Sequence, residues 1–296
     1  MTINAEMKKF MAEDGNILDL LEDSQISKLE DYIRSGIEID EESRSIWLKR
    51  NLEAMDLIKH IEDPDLDSRS DGDSIKSCKV IYPLLASSAI HAASRLIPHF
   101  TRNDKTCEVG VHGEDPGGVK QMRAEDTASY VNYQLLYQSD NWLSDSHKLA
   151  HMIMTWGMGF RRVFYDQDEG ALDFQLIPPA DIIINHNIST LKKASRVTIR
   201  HYMSDVDLVE KMRNDEFTEI DLGTLHGNSM DVEQNNPAEA PAIHEVYEQY
   251  CRFDLDDDGY AEPYRVFFHS GSGKLLAVQV NYVLKDIKFN KKGQIR

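Results

Sequence analysis

The chain has few cysteines, no long apolar run and no recognisable leader. Its three cysteines, Cys78, Cys107 and Cys251, are widely spaced and match no zinc-ligand pattern. An odd number of separated cysteines argues against a disulfide framework, so we expect reduced thiols in a protein made in a cytoplasm. No stretch of about 18 uncharged apolar residues occurs, and the sequence therefore predicts no transmembrane helix and no membrane partner. The N-terminus also lacks the apolar core of a secretory signal peptide.

Basic side chains are scarce relative to acidic ones. The 296 residues include 33 Lys and Arg against 51 Asp and Glu, which gives a formal net charge of −18. Clustered Lys and Arg supply the affinity of proteins for phosphates, so this balance argues against a protein that grips nucleic acid. It is compatible with a channel through which DNA slides, because tight phosphate contacts there would retard the DNA.

Several catalytic motifs are also missing. The chain has no G-x-x-x-x-G-K-[ST] loop and no G-x-S-x-G elbow, so it is predicted to be neither an ATP-driven motor nor an α/β-hydrolase. His147 and His151 lie four residues apart but lack the glutamate of a metalloprotease between them, and we interpret them as surface or interface histidines. The sequence thus predicts no catalytic residue, no cofactor and no enzyme.

Apolar periodicity predicts an α+β fold, with a helical N-terminal half followed by a mainly antiparallel β-sheet region. Three segments are expected: an acidic arm and helix over residues 1–73, a helical part over 74–157 and an antiparallel β part over 158–296. Residues 1–70 hold 18 acidic and 9 basic side chains. This composition favours a solvated, partly mobile extension, and the alternative is an arm that binds a partner and orders on assembly.

Within these segments, spacing and turn residues predict individual elements. A helix is expected from Pro83 to Pro98, packed against a second helix over Gln121–Gln138, and a third helix is expected with Ser144 as its cap. A helix over Asp205–Arg213 and a strand over Cys107–Val111 are also predicted. Alternation predicts six further strands, at Phe160–Tyr165, Leu172–Ile177, Arg196–Tyr202, Ile243–Phe253, Tyr264–Phe268 and Leu275–Val280.

The most specific short motif is DLDDDGYAE at residues 254–262. Oxygen ligands at positions one, three and five with glycine at six are those of a calcium-binding EF-hand loop. The twelfth position, however, is Arg265 instead of glutamate, and the flanks are predicted strands. We therefore interpret the segment as a hairpin turn, with a weak divalent-ion site, such as Ca²⁺, open as the alternative. Its ligands would be Asp254, Asp256, Asp258 and Glu262.

A second acidic group, at Asp166, Asp168, Glu169 and Asp173, lies at the turn that joins the predicted strands Phe160–Tyr165 and Leu172–Ile177. Paired carboxylates can support two-metal hydrolysis. No histidine or lysine lies nearby in the sequence where it could assist such a reaction, so a solvated turn is the favoured interpretation. An alternative function nevertheless stays open: a metal-dependent hydrolase or nuclease that uses one of the two acidic clusters.

Three sequence motifs follow one another along the chain. They are A-x-x-x-x-x-Y-V-N-Y-Q-L at residues 124–135, W-G-x-G-F-R-R-V-x-Y-D at 156–166 and I-P-P-A-D-I at 177–182. A strand over Ser195–Met203 and the hairpin HEVYEQYCRFDLDDDGYAEPY at 244–264 follow. In this order the elements resemble bacteriophage portal proteins of the podovirus-like type, from about Pro83 to the C-terminus.

The resemblance implies a structural role in the virion, after assembly in the host cytoplasm. Portal subunits form a dodecameric ring, the head–tail connector, at the unique capsid vertex, where DNA passes through a central channel during packaging and ejection. The implied partners are other portal subunits, capsid protein, the terminase packaging motor, tail or adaptor proteins, and DNA bound without sequence specificity. The 296 residues resemble the wing portion only, with the stem, clip and crown absent, so we expect weak association of this chain alone.

Overall fold

A computed structural model describes residues 15–59, 82–100, 105–139, 141–166, 170–222, 243–255 and 261–281. The predicted α+β class is confirmed, since helices dominate the N-terminal half and antiparallel sheets follow. The chain divides into two compact units, one formed by residues 1–46 with 181–296 and the other by residues 47–180. These units join parts of the chain that the sequence had placed in separate segments. Among the described helices, none is long and apolar enough to span a membrane.

The first helix, α1, runs without a break over Asp23–Lys59. A 3₁₀ turn at Leu18–Leu20 precedes it. The helix continues through Gly36, although glycine disfavours helix interiors. The reason is packing, because a Cβ at Gly36 would lie 3.0 Å from Nε of Arg196. A larger residue at Gly36 would displace the side chain of Arg196, which lies on a strand of the larger sheet.

The larger sheet is five-stranded and antiparallel throughout, in the order β3-β4-β5-β6-β7. Its strands are Ile182–Ile183, Arg196–Ser204, Ile243–Phe253, Glu262–His269 and Lys274–Val280. One face packs on α1 through fully buried Leu29 and Ile33. The prediction of a solvated N-terminal extension is therefore wrong for the described part of residues 15–46, whose apolar residues complete the core.

The opposite face of this sheet is covered by a short helix, α5, over Asp205–Arg213, as predicted. Ser204 begins it with a capping box: its hydroxyl accepts from the amide of Asp207, whose carboxylate accepts from the amide of Ser204. Apolar residues of α5 and the segment after it pack on the strands, and the core they form contains Leu208, Met212, Phe217, Val246, Phe267, Leu276 and Ala277.

The other unit contains three helices and a hairpin. The helices are α2 over Leu84–Phe100, α3 over Val119–Tyr133 and α4 over Trp142–Trp156. A π-helical turn at Gln134–Gln138 extends α3. The hairpin pairs β1, Phe160–Asp166, with β2, Ala171–Ile177. The main partner of α2 is α4, which corrects the predicted packing of α2 on the helix that follows it. Gly157 ends α4 in the left-handed conformation.

Three local predictions in this unit are wrong. Pro98 lies inside the last turn of α2 and does not end it. The helix α4 begins at Trp142, so Ser144 lies in the first turn, where its hydroxyl donates to the carbonyl of Asn141. Residues 107–111 form no strand. The amides of Thr106 and Cys107 instead donate to Oδ1 of Asn132, at 2.7 and 2.9 Å, which replaces the partners that a strand would supply.

Candidate functional site

The predicted metal loop lies between β5 and β6, whose paired ends place Phe253 opposite Glu262. Because strands flank the loop, an EF-hand is excluded, as the sequence indicated. The loop is attached to α1, since Nε2 of Gln25 donates to the carbonyl of Leu255 at 2.7 Å. Asp256 and Asp258 lie outside the described residues. In the part of the chain that the structure describes, no group of three or more His, Cys, Asp or Glu could hold a metal ion.

We predict that any calcium binding at this loop is weak. Without the bidentate glutamate of an EF-hand, the affinity should be about 10⁻⁴ to 10⁻³ M. Asp256→Asn should remove any calorimetric calcium response and leave folding nearly unchanged, with Asp207→Asn at the capping box of α5 as a control that keeps the response. Submicromolar calcium affinity would contradict the interpretation as a turn. A nuclease assay during the same metal titration tests the enzymatic alternative.

Two residues of the second acidic group, Asp166 and Asp173, belong to the strands β1 and β2. Asp166 ends β1 and Asp173 lies within β2, while Asp168 and Glu169 fall outside the described residues. Asp173 Oδ1 accepts from the amide of Phe174 at 2.7 Å. The prediction of a hairpin between two strands is confirmed here, and a metal-dependent role for these carboxylates stays a prediction without a test.

A buried carboxylate on the α5-bearing face of the sheet was missed at the sequence level. Glu248 on β5 is 1% exposed and accepts from Nε of Arg265 and from the hydroxyl of Tyr250, both at 2.6 Å. Nε2 of His201 lies 2.7 Å from its other oxygen. Burial of a carboxylate is costly unless it is paired and hydrogen-bonded, and these three partners meet that requirement. The cluster therefore links β4, β5 and β6 through their side chains.

Charged side chains also join α1 to the other face of the sheet. Buried Asp40 accepts from Nε of Arg196 at 2.6 Å and from Nδ2 of Asn185 at 3.2 Å. Arg200 pairs with Glu41 one residue further along the helix. Burial raises the pKa of the neighbouring Asp181 carboxyl, while Arg200 and Arg44 act to lower it. The acidic residues of the N-terminal segment are thus partly structural, since they orient α1 on the sheet.

A third polar cluster is a chain of four groups at the other end of β5. Nε2 of His244 bonds to Oδ1 of Asp205 at the start of α5, and Nδ1 of His244 lies 3.0 Å from Nε2 of His269. Nδ1 of His269 accepts from the amide of Ser272 at 3.0 Å and lies 2.8 Å from its hydroxyl. The amide of Ser272 is therefore committed to His269 and cannot bind an oxyanion, so the chain of groups does not fit acyl-transfer chemistry.

The motif residues that carried the family resemblance have clear positions. Asn132 is buried, and its Nδ2 also donates to the carbonyl of Cys107 at 2.8 Å. The adjacent aromatic stripe points outward, with Tyr130, Tyr133 and Tyr137 exposed by 61%, 56% and 74%. Exposed aromatic side chains are enriched in protein interfaces. His147 and His151 on α4 are exposed, as predicted for surface histidines.

The two described cysteines are free thiols, as expected, and Cys78 lies outside the described residues. Cys251 is buried in the sheet, and burial raises the pKa of its thiol to about 12. A thiol with so high a pKa is protonated and unreactive at neutral pH. Cys251 is therefore a packing residue and not a candidate nucleophile.

Comparison with known families gives one finding about identity. Residues 160–290, a little under half of the chain, match the family model described as phage SU10 portal protein. The match covers the β1–β2 hairpin, the five-stranded sheet and α5. It confirms the resemblance to phage portal proteins over these residues and supports a structural role in a phage virion. A search of curated proteins found no match to the chain.

Proposed function

We propose that the chain is a structural subunit of a phage portal ring at the unique capsid vertex. In this role, copies of the chain form a conduit for DNA during packaging and ejection. The ring contacts capsid protein, the terminase packaging motor on one side and tail or adaptor proteins on the other. The observation that carries the proposal is the family match over residues 160–290, which contain the β1–β2 hairpin, the five-stranded sheet and α5.

The charge of the chain supports passage of DNA without tight binding. A net charge of −18 repels phosphates on average, and tight protein–DNA complexes depend on clustered Lys and Arg. Three arginines of the sheet also engage acidic partners: Arg196 pairs with Asp40, Arg200 with Glu41 and Arg265 with Glu248. These guanidinium groups are used for folding, which favours a passive conduit over a nucleic-acid grip.

Exposed apolar groups support assembly with other proteins. Met122, Tyr130, Tyr133 and Tyr137 are largely exposed on α3 and the π-helical turn, and rings of Tyr133 and Tyr137 stack with centroids 6.1 Å apart. Large contiguous patches of exposed apolar residues are rare on soluble monomers, and where they occur they often mark interaction sites. We propose that this stripe contacts a neighbouring subunit or a capsid component.

Quantitative mass spectrometry of purified phage particles tests the proposed role. We expect the chain at the copy number of one dodecameric ring per particle, far below that of the protein that forms the shell. A copy number like that of the shell protein, or absence from particles that contain packaged DNA, would contradict the proposal. The nuclease assay described above distinguishes a portal subunit from a metal-dependent enzyme in either case.

A further inference from the structure

The buried chain Asp205–His244–His269–Ser272 joins three elements of the sheet unit. Asp205 begins α5, His244 lies at the start of β5 and His269 ends β6, while Ser272 belongs to the turn before β7. Both imidazoles are buried, at 1% and 0% exposure. A polar chain inside a protein has a definite direction, because each ring nitrogen either donates or accepts.

The hydrogen positions follow from the fixed donor at one end. The amide of Ser272 donates to Nδ1 of His269, so this nitrogen carries no hydrogen and the ring is protonated at Nε2. Nε2 of His269 then donates to Nδ1 of His244, and Nε2 of His244 donates to the carboxylate of Asp205. The two rings hold one hydrogen each and are neutral, and every contact in the chain pairs a donor with an acceptor.

A third ring hydrogen has only one place to go. Wherever the proton enters, completing the other contacts puts a hydrogen on Nδ1 of His269, where it faces the amide hydrogen of Ser272. That contact changes from attraction to repulsion between two donors, and only the hydroxyl of Ser272 is left to accept. The turn at residues 270–273 would lose a hydrogen bond that closes it, because Nδ1 of His269 would no longer accept from the amide of Ser272.

The turn is also one of the places where α1 contacts the sheet unit. Nη2 of Arg34 donates to the carbonyl of Gly273 at 3.1 Å, and the amide of Leu275 donates to Oε1 of Glu30 at 3.2 Å. Gly273 has a positive φ of 67°, which favours glycine. A change at Ser272 therefore acts directly on residues that α1 contacts.

We propose that the His244–His269 pair is an acid-sensitive latch that closes the β6–β7 turn at neutral pH and releases it when the pair takes up a proton. The turn and its contacts with Arg34 and Glu30 are the parts that open. Release loosens this edge of the sheet from α1 without unfolding the strands on which the rest of the core depends.

The surrounding charges set the direction of the effect. Burial lowers the pKa of His269, and the neighbouring His244 lowers it further. Lys274 on β7 is the strand partner of His269, and its positive charge disfavours a proton on the histidine pair, although Lys274 is exposed. Asp205 on α5 acts in the opposite sense but is half exposed. On β4, the residue paired with His244 is uncharged Met203.

The pH range follows from linkage. A histidine whose pKa is lowered in the closed state contributes stability above its ordinary pKa of about 6.5 and loses it as the pH falls below that value. If the open turn titrates normally, the population of open turn should rise about tenfold between pH 7.5 and pH 5.5. The latch is therefore closed in neutral solution and weakened in mildly acidic solution.

Amide hydrogen exchange of the full chain tests the latch. The protection factor of the Ser272 amide, corrected for intrinsic exchange at each pH, should fall about tenfold between pH 7.5 and pH 5.5. His269→Asn keeps an acceptor for this amide but cannot be protonated, so its protection should change by less than about twofold. His147→Asn, at an exposed histidine, should behave as the unmodified chain does.

Two outcomes would overturn the proposal: constant protection in the unmodified chain, or the same tenfold fall in His269→Asn. Ser272→Ala provides a second arm if His269→Asn does not fold. This variant keeps the backbone amide and the His269 ring that accepts from it, so its protection should also fall about tenfold between pH 7.5 and pH 5.5. Constant protection in Ser272→Ala would also contradict the latch.

Discussion

Ile33→Ala is expected to destabilise the sheet unit by about 2–5 kcal/mol, the usual cost of removing a buried isoleucine side chain beyond its β-carbon. Ile33 lies on α1 and is fully buried against the sheet, in the same core as Tyr264, Val266 and Phe268. All three tryptophans lie within residues 47–180, outside the sheet unit. The measurement is amide hydrogen exchange of β5 and β6.

The matched control is Ile39→Ala in the same helix. Ile39 is 53% exposed, and its substitution should change stability by less than about 0.5 kcal/mol. Equal effects of the two substitutions would show that α1 does not pack on the sheet through this face. The acidic N-terminal segment would then be the solvated extension that its composition favours.

Glu248→Ala is expected to cost about 3–5 kcal/mol, because it leaves the partly buried partners of a buried carboxylate without this acceptor. Arg265 would lose its bond at 2.6 Å, and His201 and Tyr250 would lose theirs. Glu248→Gln should cost less, since the amide oxygen keeps one acceptor in place while the charge is lost. Both effects are read from hydrogen exchange in β5 and β6.

Glu216→Ala is the matched control for a salt bridge at the surface. Glu216 pairs with Lys211 at 2.7 Å, but both side chains are well exposed, and such pairs contribute about 0–1 kcal/mol. A cost for Glu248→Ala as small as that of Glu216→Ala would show that the Glu248 cluster does not stabilise the sheet.

Local signals predicted part of this fold well. The strand Ile243–Phe253 and the helix Asp205–Arg213 have the predicted bounds, because alternation and the Ser204 cap act within a few residues. The continuity of α1 was not predictable in this way. Its apolar residues are sparse among charges, and its partners, such as Phe268, lie more than 200 residues away in the sequence.

The polar clusters were beyond the reach of sequence patterns for a similar reason. Glu248 meets Arg265 only because β5 and β6 pair in one register, and His244 meets His269 through the same pairing. Residues 107–111 alternate as a strand does, yet the backbone amides of Thr106 and Cys107 donate to the side chain of Asn132 instead of to a partner strand. Of the predicted metal ligands, Asp254 follows β5 and Glu262 begins β6, while Asp256 and Asp258 lie outside the described residues.

The most direct test of the central claim is the position of the protein in the virion. Gold-labelled antibody against the chain, applied to purified phage particles with the tail detached and imaged by electron microscopy, should mark a single vertex of each capsid. Removal of the antibody by an excess of the purified chain is the control for specific labelling. Label distributed over all vertices or over the shell surface, or no label on particles in which the chain is present, would contradict a portal subunit.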